Sequence, residues 1–122
     1  MTPITPESAM RAILQALSVC RIFTGLSESE LLHVAEFTLP KTIGKGEYLF
    51  RAGDVCHGFY VVQSGAISVH RTYKDGREQM ILMARSGESF AEGSLIMEKG
   101  YPASARADIP SSVLLLQKEG FV

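Results

Sequence analysis

Cysteine is scarce in this sequence, with only Cys20 and Cys56 present. Two distant thiols cannot make a disulfide framework, which fits a reducing cytoplasm, and they fall short of the four ligands of an iron–sulfur cluster. No C-x-x-C or H-x-H pair occurs, so neither a zinc site nor the clustered histidines of a cupin metal centre is expected. Long apolar runs are missing too. None approaches the roughly 18 residues that a membrane span needs, and "MTPITPESAM" has neither the basic nor the apolar part of a secretion signal. Blocks of like charge are absent: 12 Lys and Arg against 13 Asp and Glu leave a formal charge of -1. Such a chain cannot grip a phosphate backbone unaided, so any DNA contact must come from elsewhere. Finally, there is no G-x-S-x-G elbow and no Walker or Rossmann glycine pattern, and no enzyme is expected.

What remains is a chain of 122 residues, 46% of them apolar. That suits one globular domain spanning residues 1–122, able to bury roughly two thirds of its unfolded surface. Met10, Ile13, Leu14 and Leu17 recur at helical spacing behind Pro6-Glu7, which reads as a first turn. A second helix is predicted from Ser27, where "SESE" forms a capping box, with Leu31, Leu32, Val34 and Ala35 on one side. From about Thr38 the helical spacing stops. Short runs of Val, Ile, Tyr and Phe alternate with glycines, the rhythm of an all-β sandwich or barrel. "AISVH" alternates, which turns Ile67 and Val69 one way and Ser68 and His70 outward. "KDG" predicts a hairpin turn in which the Asp-Gly pair takes positive φ. "REQMILMA" and "SSVLLLQ" carry consecutive apolar residues, so both of their faces are expected to be covered. "FAEGSLIME", from Phe90 to Glu98, interrupts the pattern and predicts a helical turn or two set into the β wall.

Four of these stretches, in this order, carry a resemblance: "KGEYLFRAGD", "FYVVQSGAISV", "FAEGSLI", and "ASARA" followed by "SSVLLLQ". Together they resemble the sensor domain of the Crp/Fnr family of bacterial transcription regulators. The resemblance implies a mainly β fold, a double-stranded β-helix or jelly roll of the cyclic nucleotide-binding type, with N-terminal helices and a short helix within the roll. It implies a small-molecule effector as partner, a homodimer in the full-length regulator, and no membrane. In that family a dimerisation helix and a helix-turn-helix domain follow the roll. This sequence stops at "KEGFV", so both are expected to lie outside it, in a longer protein or, alternatively, in none.

The same resemblance implies a phosphate-binding cassette. In members that take cyclic nucleotides it reads roughly Phe-Gly-Glu-Leu-Ala-Leu, then Arg-Ser/Thr-Ala. N–H groups at the start of the short helix face the cyclic phosphate, a Glu accepts from the ribose, and the Arg neutralises the phosphate. Carried over, the ligand-binding candidates are Phe90, Ala91, Glu92, Gly93, Ser94, Leu95, Tyr101, Pro102, Ala103 and Ser104. Glu92 is retained, but Tyr101 stands where the Arg belongs and Pro102 where Ser or Thr belongs. A buried anion without its cation loses ~2–5 kcal/mol, or roughly 30- to several-thousand-fold in affinity. Tight cyclic AMP binding by the usual geometry is therefore not expected. Arg106 is not expected to compensate, since Ala103, Ala105 and Ala107 share the crowded face and leave Ser104 and Arg106 on the other. Glu92 has a second reading, as a cap on its own helical turn.

"FAE" with "YxAxAxA" looks most like the Dnr branch, regulators that answer nitric oxide and are associated with haem. A haem needs an axial ligand, and His33, His57 and His70 are the histidines present. All three are expected to be exposed and structural. Three readings of the effector stay open: a small molecule that does not need the standard clamp, a cyclic nucleotide (cAMP or cGMP) held by altered contacts, and haem-based sensing of nitric oxide. In each, ligand contacts at Phe90 to Leu95 are expected to shift the short helix and bias whatever follows Val122.

Overall fold

The computed structural model describes residues 6–93 and 100–121. Helix α1 spans Pro6–Ser18 and α2 spans Glu28–Glu36, with a 3-10 turn at Arg21–Phe23 between them. Eight strands follow: β1 Thr38–Ile43, β2 Tyr48–Phe50, β3 Gly58–Ser64, β4 Ala66–Thr72, β5 Glu78–Arg85, β6 Ser89–Phe90, β7 Ser104–Ala107 and β8 Ser111–Gln117. They form two antiparallel four-stranded sheets, β1-β8-β3-β6 and β2-β7-β4-β5. This is the mainly β roll that the sequence led us to expect.

The chain packs in three layers, and the first sheet is the shared wall. Its two faces sort by alternation. Tyr60, Val62, Val113 and Leu115 face the second sheet, where they meet Phe50, Ile67, Val69 and the alanines of β7. Phe59, Val61, Leu114 and Leu116 face the helices, against Ile13, Leu17, Cys20, Phe23, Val34 and Ala35. That double burial is why "SSVLLLQ" is apolar almost throughout. The α1 stripe is seated as its spacing requires, with Ile13 and Leu17 buried and Met10 and Leu14 partly so. At α2, the Ser27 hydroxyl accepts from the Glu30 N–H and the Glu30 carboxylate accepts from the Ser27 N–H, so the capping box closes.

Four expectations need correction. Leu32 does not join the buried side of α2; it is exposed. Strand β5 is not covered on both faces, and Met80, Ile81 and Leu82 are 59%, 48% and 40% exposed. It is the edge strand of the second sheet, with β4 on one side only. Ser68 and His70 do point away from the core, but both are buried, because neighbouring side chains roof the outer face of β4. The β4–β5 hairpin turns at "KDG" with Gly76 at φ 89, whereas Asp75 stays at negative φ; a three-residue loop needs one left-handed position, not two. The short helix expected between Phe90 and Glu98 lies mostly outside the described residues. Only Glu92 and Gly93 are seen, at the start of a 3-10 turn.

Candidate functional site

The cassette begins where β6 ends. Two residues pair this strand to β3, Phe90 opposite Tyr60 and Ser89 opposite Val61, and they fix Phe90 inside the roll. Phe90 is fully buried and stacks on Tyr60, ring centroids 5.4 Å apart at 11°. The backbone then reverses at Ala91, whose φ of 69° is the one positive value at a non-glycine among the described residues. That left-handed turn costs an L-residue roughly 1–2 kcal/mol, and it throws the chain out of the sheet. The Ala91 methyl packs against both core clusters at once. Glu92, half-buried, comes near Cys20. Burial pushes the Cys20 thiol up from its ordinary value, with the Glu92 carboxylate adding to the rise while the Ile22 backbone and the Ser89 hydroxyl oppose it. Gly93 is exposed, and Ser94 and Leu95 lie outside the described residues.

The far end of the cassette returns at Gly100 and Tyr101, and there the backbone is clasped. The Tyr101 N–H donates to the Asp54 carbonyl at 3.0 Å, and the Gly53 N–H donates to the Tyr101 carbonyl at 2.8 Å. Tyr101 is buried, its ring stacked on Phe50 with centroids 3.7 Å apart at 12°. Its hydroxyl donates to the Gly58 carbonyl at 2.8 Å and accepts from the His57 N–H at 3.3 Å. Burial above all, then the neighbouring Tyr60 and Cys56, pushes the phenol well above the usual tyrosine range. This side chain does not stand across an open chamber as a free donor. Its ring fills the interior and its hydroxyl is spent on the β2–β3 loop.

Of the other candidates, Ala103 is buried beside Tyr101 in the same cluster, while Pro102 is exposed. Ser104 faces the other way, its Oγ accepting from the Ala52 N–H at 2.9 Å. The structure thus brings Phe90, Ala91, Tyr101 and Ala103 together, and leaves Pro102, Ser104 and Gly93 apart from them. Arg106 lies on the outer face as expected. It donates to the Tyr48 hydroxyl at 3.2 Å and stands 3.6 Å from the Glu78 carboxylate. His33 and His57 are exposed. His70 is not, contrary to expectation: it sits under the Tyr48 ring, 5.9 Å away, with Nε2 3.8 Å from Glu78. None of the three histidines stands between the sheets, and no group of three or more His, Cys, Asp or Glu that could hold a metal occurs among the described residues.

Two residues that the sequence reading passed over complete the interior. Phe50 from β2 and Tyr60 from β3 lie 5.7 Å apart, and each stacks on one end residue, so the rings run Tyr101–Phe50–Tyr60–Phe90. The signal was available: "YLF" and "GFYVV" each place an aromatic at an inward position. Leu82 pairs with Val69, whose side chain is in the core, so Leu82 belongs to the inner face, yet it is 40% exposed. The β5 edge of the second sheet thus carries an exposed apolar side chain on its inner face.

This arrangement is a β roll whose chain turns out of the sheet after β6, and known proteins share the roll. The cyclic nucleotide-binding domain model matches from residue 40 to residue 122. The chain is 30% identical over 101 residues to the cyclic AMP receptor protein of Thermus thermophilus, covering 83% of this chain and 47% of that protein. The crystal structure of the sensor domain of the transcriptional regulator DNR from Pseudomonas aeruginosa superposes with a TM-score of 0.85 at 27% identity, covering 93% of this chain and 76% of that one. The Thermus thermophilus catabolite activator protein gives 0.74 at 30% identity, over 82% of this chain and 47% of that one. The chain therefore belongs to the cyclic nucleotide-binding domain family, and the likeness to Crp/Fnr sensor domains read from its motifs holds. It spans about half the length of the Thermus relative.

Proposed function

We propose that this chain is the effector-sensing domain of a Crp/Fnr-type transcription regulator, and that its roll takes a small ligand that does not rely on the standard phosphate clamp. One observation carries the second half of this reading. Tyr101, which the motif alignment sets at the clamp position, is buried against Phe50 with its hydroxyl already both donating and accepting a hydrogen bond. A cyclic phosphate brought there would meet aromatic carbon and a committed phenol, with Arg106 on the far side of the sheet. The role is regulatory, not catalytic. DNA contact and homodimer formation would belong to segments following this domain, which the relatives' greater length accommodates.

A second reading keeps a cyclic nucleotide as the effector. It is favoured by the family, by the name of the Thermus relative and by the retained Glu92, half-buried at the cassette's start. Isothermal titration of the domain with cyclic AMP and cyclic GMP separates the two. The expected result is no low-micromolar binding of either. Saturable binding in that range would overturn the first reading in favour of the second.

A further inference from the structure

Strands β1 and β2 each end their sheet, and beside them lies a cleft of about 360 Å³ lined by Lys41, Leu49, Phe50, Asp54, Val55, His57, Tyr60 and Tyr101. That volume falls in the range of small-molecule sites, roughly 300–1,000 Å³. Its floor is the thin exposed margin of Tyr101, Phe50 and Tyr60, rings otherwise buried in the core, widened by Leu49. Val55 forms part of the wall and is 67% exposed, more than any other large apolar side chain among the described residues.

The rim supplies charge. Lys41 pairs with Val113 across β1 and β8, and Val113 is a core residue, so the Lys41 side chain leaves the strand on the inner face, towards the cleft. It makes no ion pair among the described residues. The one carboxylate on the rim, Asp54, already accepts from the Arg51 N–H at 2.9 Å. His57 is exposed beside it. We propose that this cleft is a second binding site, for a flat aromatic carboxylate: the ring lies against Val55 and Leu49 and meets the margins of Tyr101, Phe50 and Tyr60, and the carboxylate meets the Lys41 ammonium. Ring margins favour a flat aromatic partner through edge-to-face contacts, and an ammonium with no ion pair of its own favours a single anionic group. The proposal does not depend on which effector the roll takes.

The test is a nuclear magnetic resonance titration of the 15N-labelled chain with 2-naphthoate, its uncharged relative 2-naphthamide, and cyclohexanecarboxylate. Saturable shifts of the Asp54 to Gly58 and Tyr101 amides are expected with 2-naphthoate. Binding should be about tenfold weaker for the amide, which lacks the charge, and for the cyclohexane acid, which lacks the flat ring. Lys41→Met, at an exposed position that leaves the fold intact, should erase the preference for acid over amide. The proposal is overturned by shifts confined to Met80–Leu82, by no saturable shift at all, by equal binding of acid and amide, or by an unchanged preference in K41M. A cyclic nucleotide titration on the same sample reports separately on the roll's own effector.

Discussion

Tyr101, three residues ahead of β7, ties the chain there to His57 and to Gly58 at the start of β3 through one hydroxyl, and stacks on Phe50 through its ring. Tyr101→Phe keeps the ring and removes both hydrogen bonds, which should cost about 1–2 kcal/mol. For a domain of this size each kcal/mol lowers the melting temperature by about 3–6 °C, so calorimetry will read the loss directly. Tyr101→Arg with Pro102→Ser tests the other side of the argument. The pair should lower the stability of the free domain, because a guanidinium enters an aromatic interior. It should also raise cyclic AMP affinity by at least about tenfold, seen as a cyclic AMP-dependent rise in melting temperature absent from the wild type. A variant that gains no such response would show that the missing cation is not what governs ligand choice. Of this site, the sequence revealed the substitution itself, since Tyr101 could be aligned against a known motif. It did not reveal that the hydroxyl is consumed by Gly58 and His57, because those partners lie 43 and 44 residues away.

At the scale of elements, the cassette is held differently at its two ends. Upstream there is one left-handed alanine. Downstream there is a paired backbone clasp, and Gly100, at φ 86, sits so close that an added Cβ would lie 2.4 Å from the Asp54 carbonyl oxygen. Gly100→Ala must therefore either strain or open the clasp, and should cost about 2–4 kcal/mol, read as a lower urea midpoint. Strand β5 invites the opposite expectation. Met80→Lys changes an exposed side chain and should leave stability within about 0.5 kcal/mol, while reducing concentration-dependent association measured by light scattering, because a charge now interrupts an apolar edge. Both helices and the β rhythm were legible from periodicity alone, since an amphipathic stripe and a covered strand leave distinct spacings. β5 was not. "QMILMA" and "VLLLQ" look alike in composition, and only the sheet order tells that β8 is central and β5 is an edge. Alternation likewise told which way His70 points but not that Tyr48 roofs it.

For the molecule as a whole, the buried phenols set an alkaline limit. Burial holds both Tyr60 and Tyr101 above their ordinary values, Tyr101 the further. The folded state thus keeps protons that the unfolded chain releases above pH of about 10. Their contribution to stability is complete below that pH and is lost as pH rises through the range between unfolded and folded values. The raised Cys20 thiol acts in the same direction from a somewhat lower pH. Urea midpoints should be level between about pH 7 and 8 and fall steadily above about 10, as the unfolding free energy drops by up to about 1.4 kcal/mol per pH unit for each group. A flat profile through that range would mean that the two phenols are solvated.

The chain contains no tryptophan, and two of its four tyrosines belong to the interior ring series. Rings held in fixed mutual orientation give circular dichroism in the near ultraviolet, whereas an exposed ring such as Tyr73 gives little. The domain thus carries an unlabelled optical gauge of its own interior. Disappearance of that band while the far-ultraviolet signal persists would reveal a roll whose centre has come apart before its backbone has.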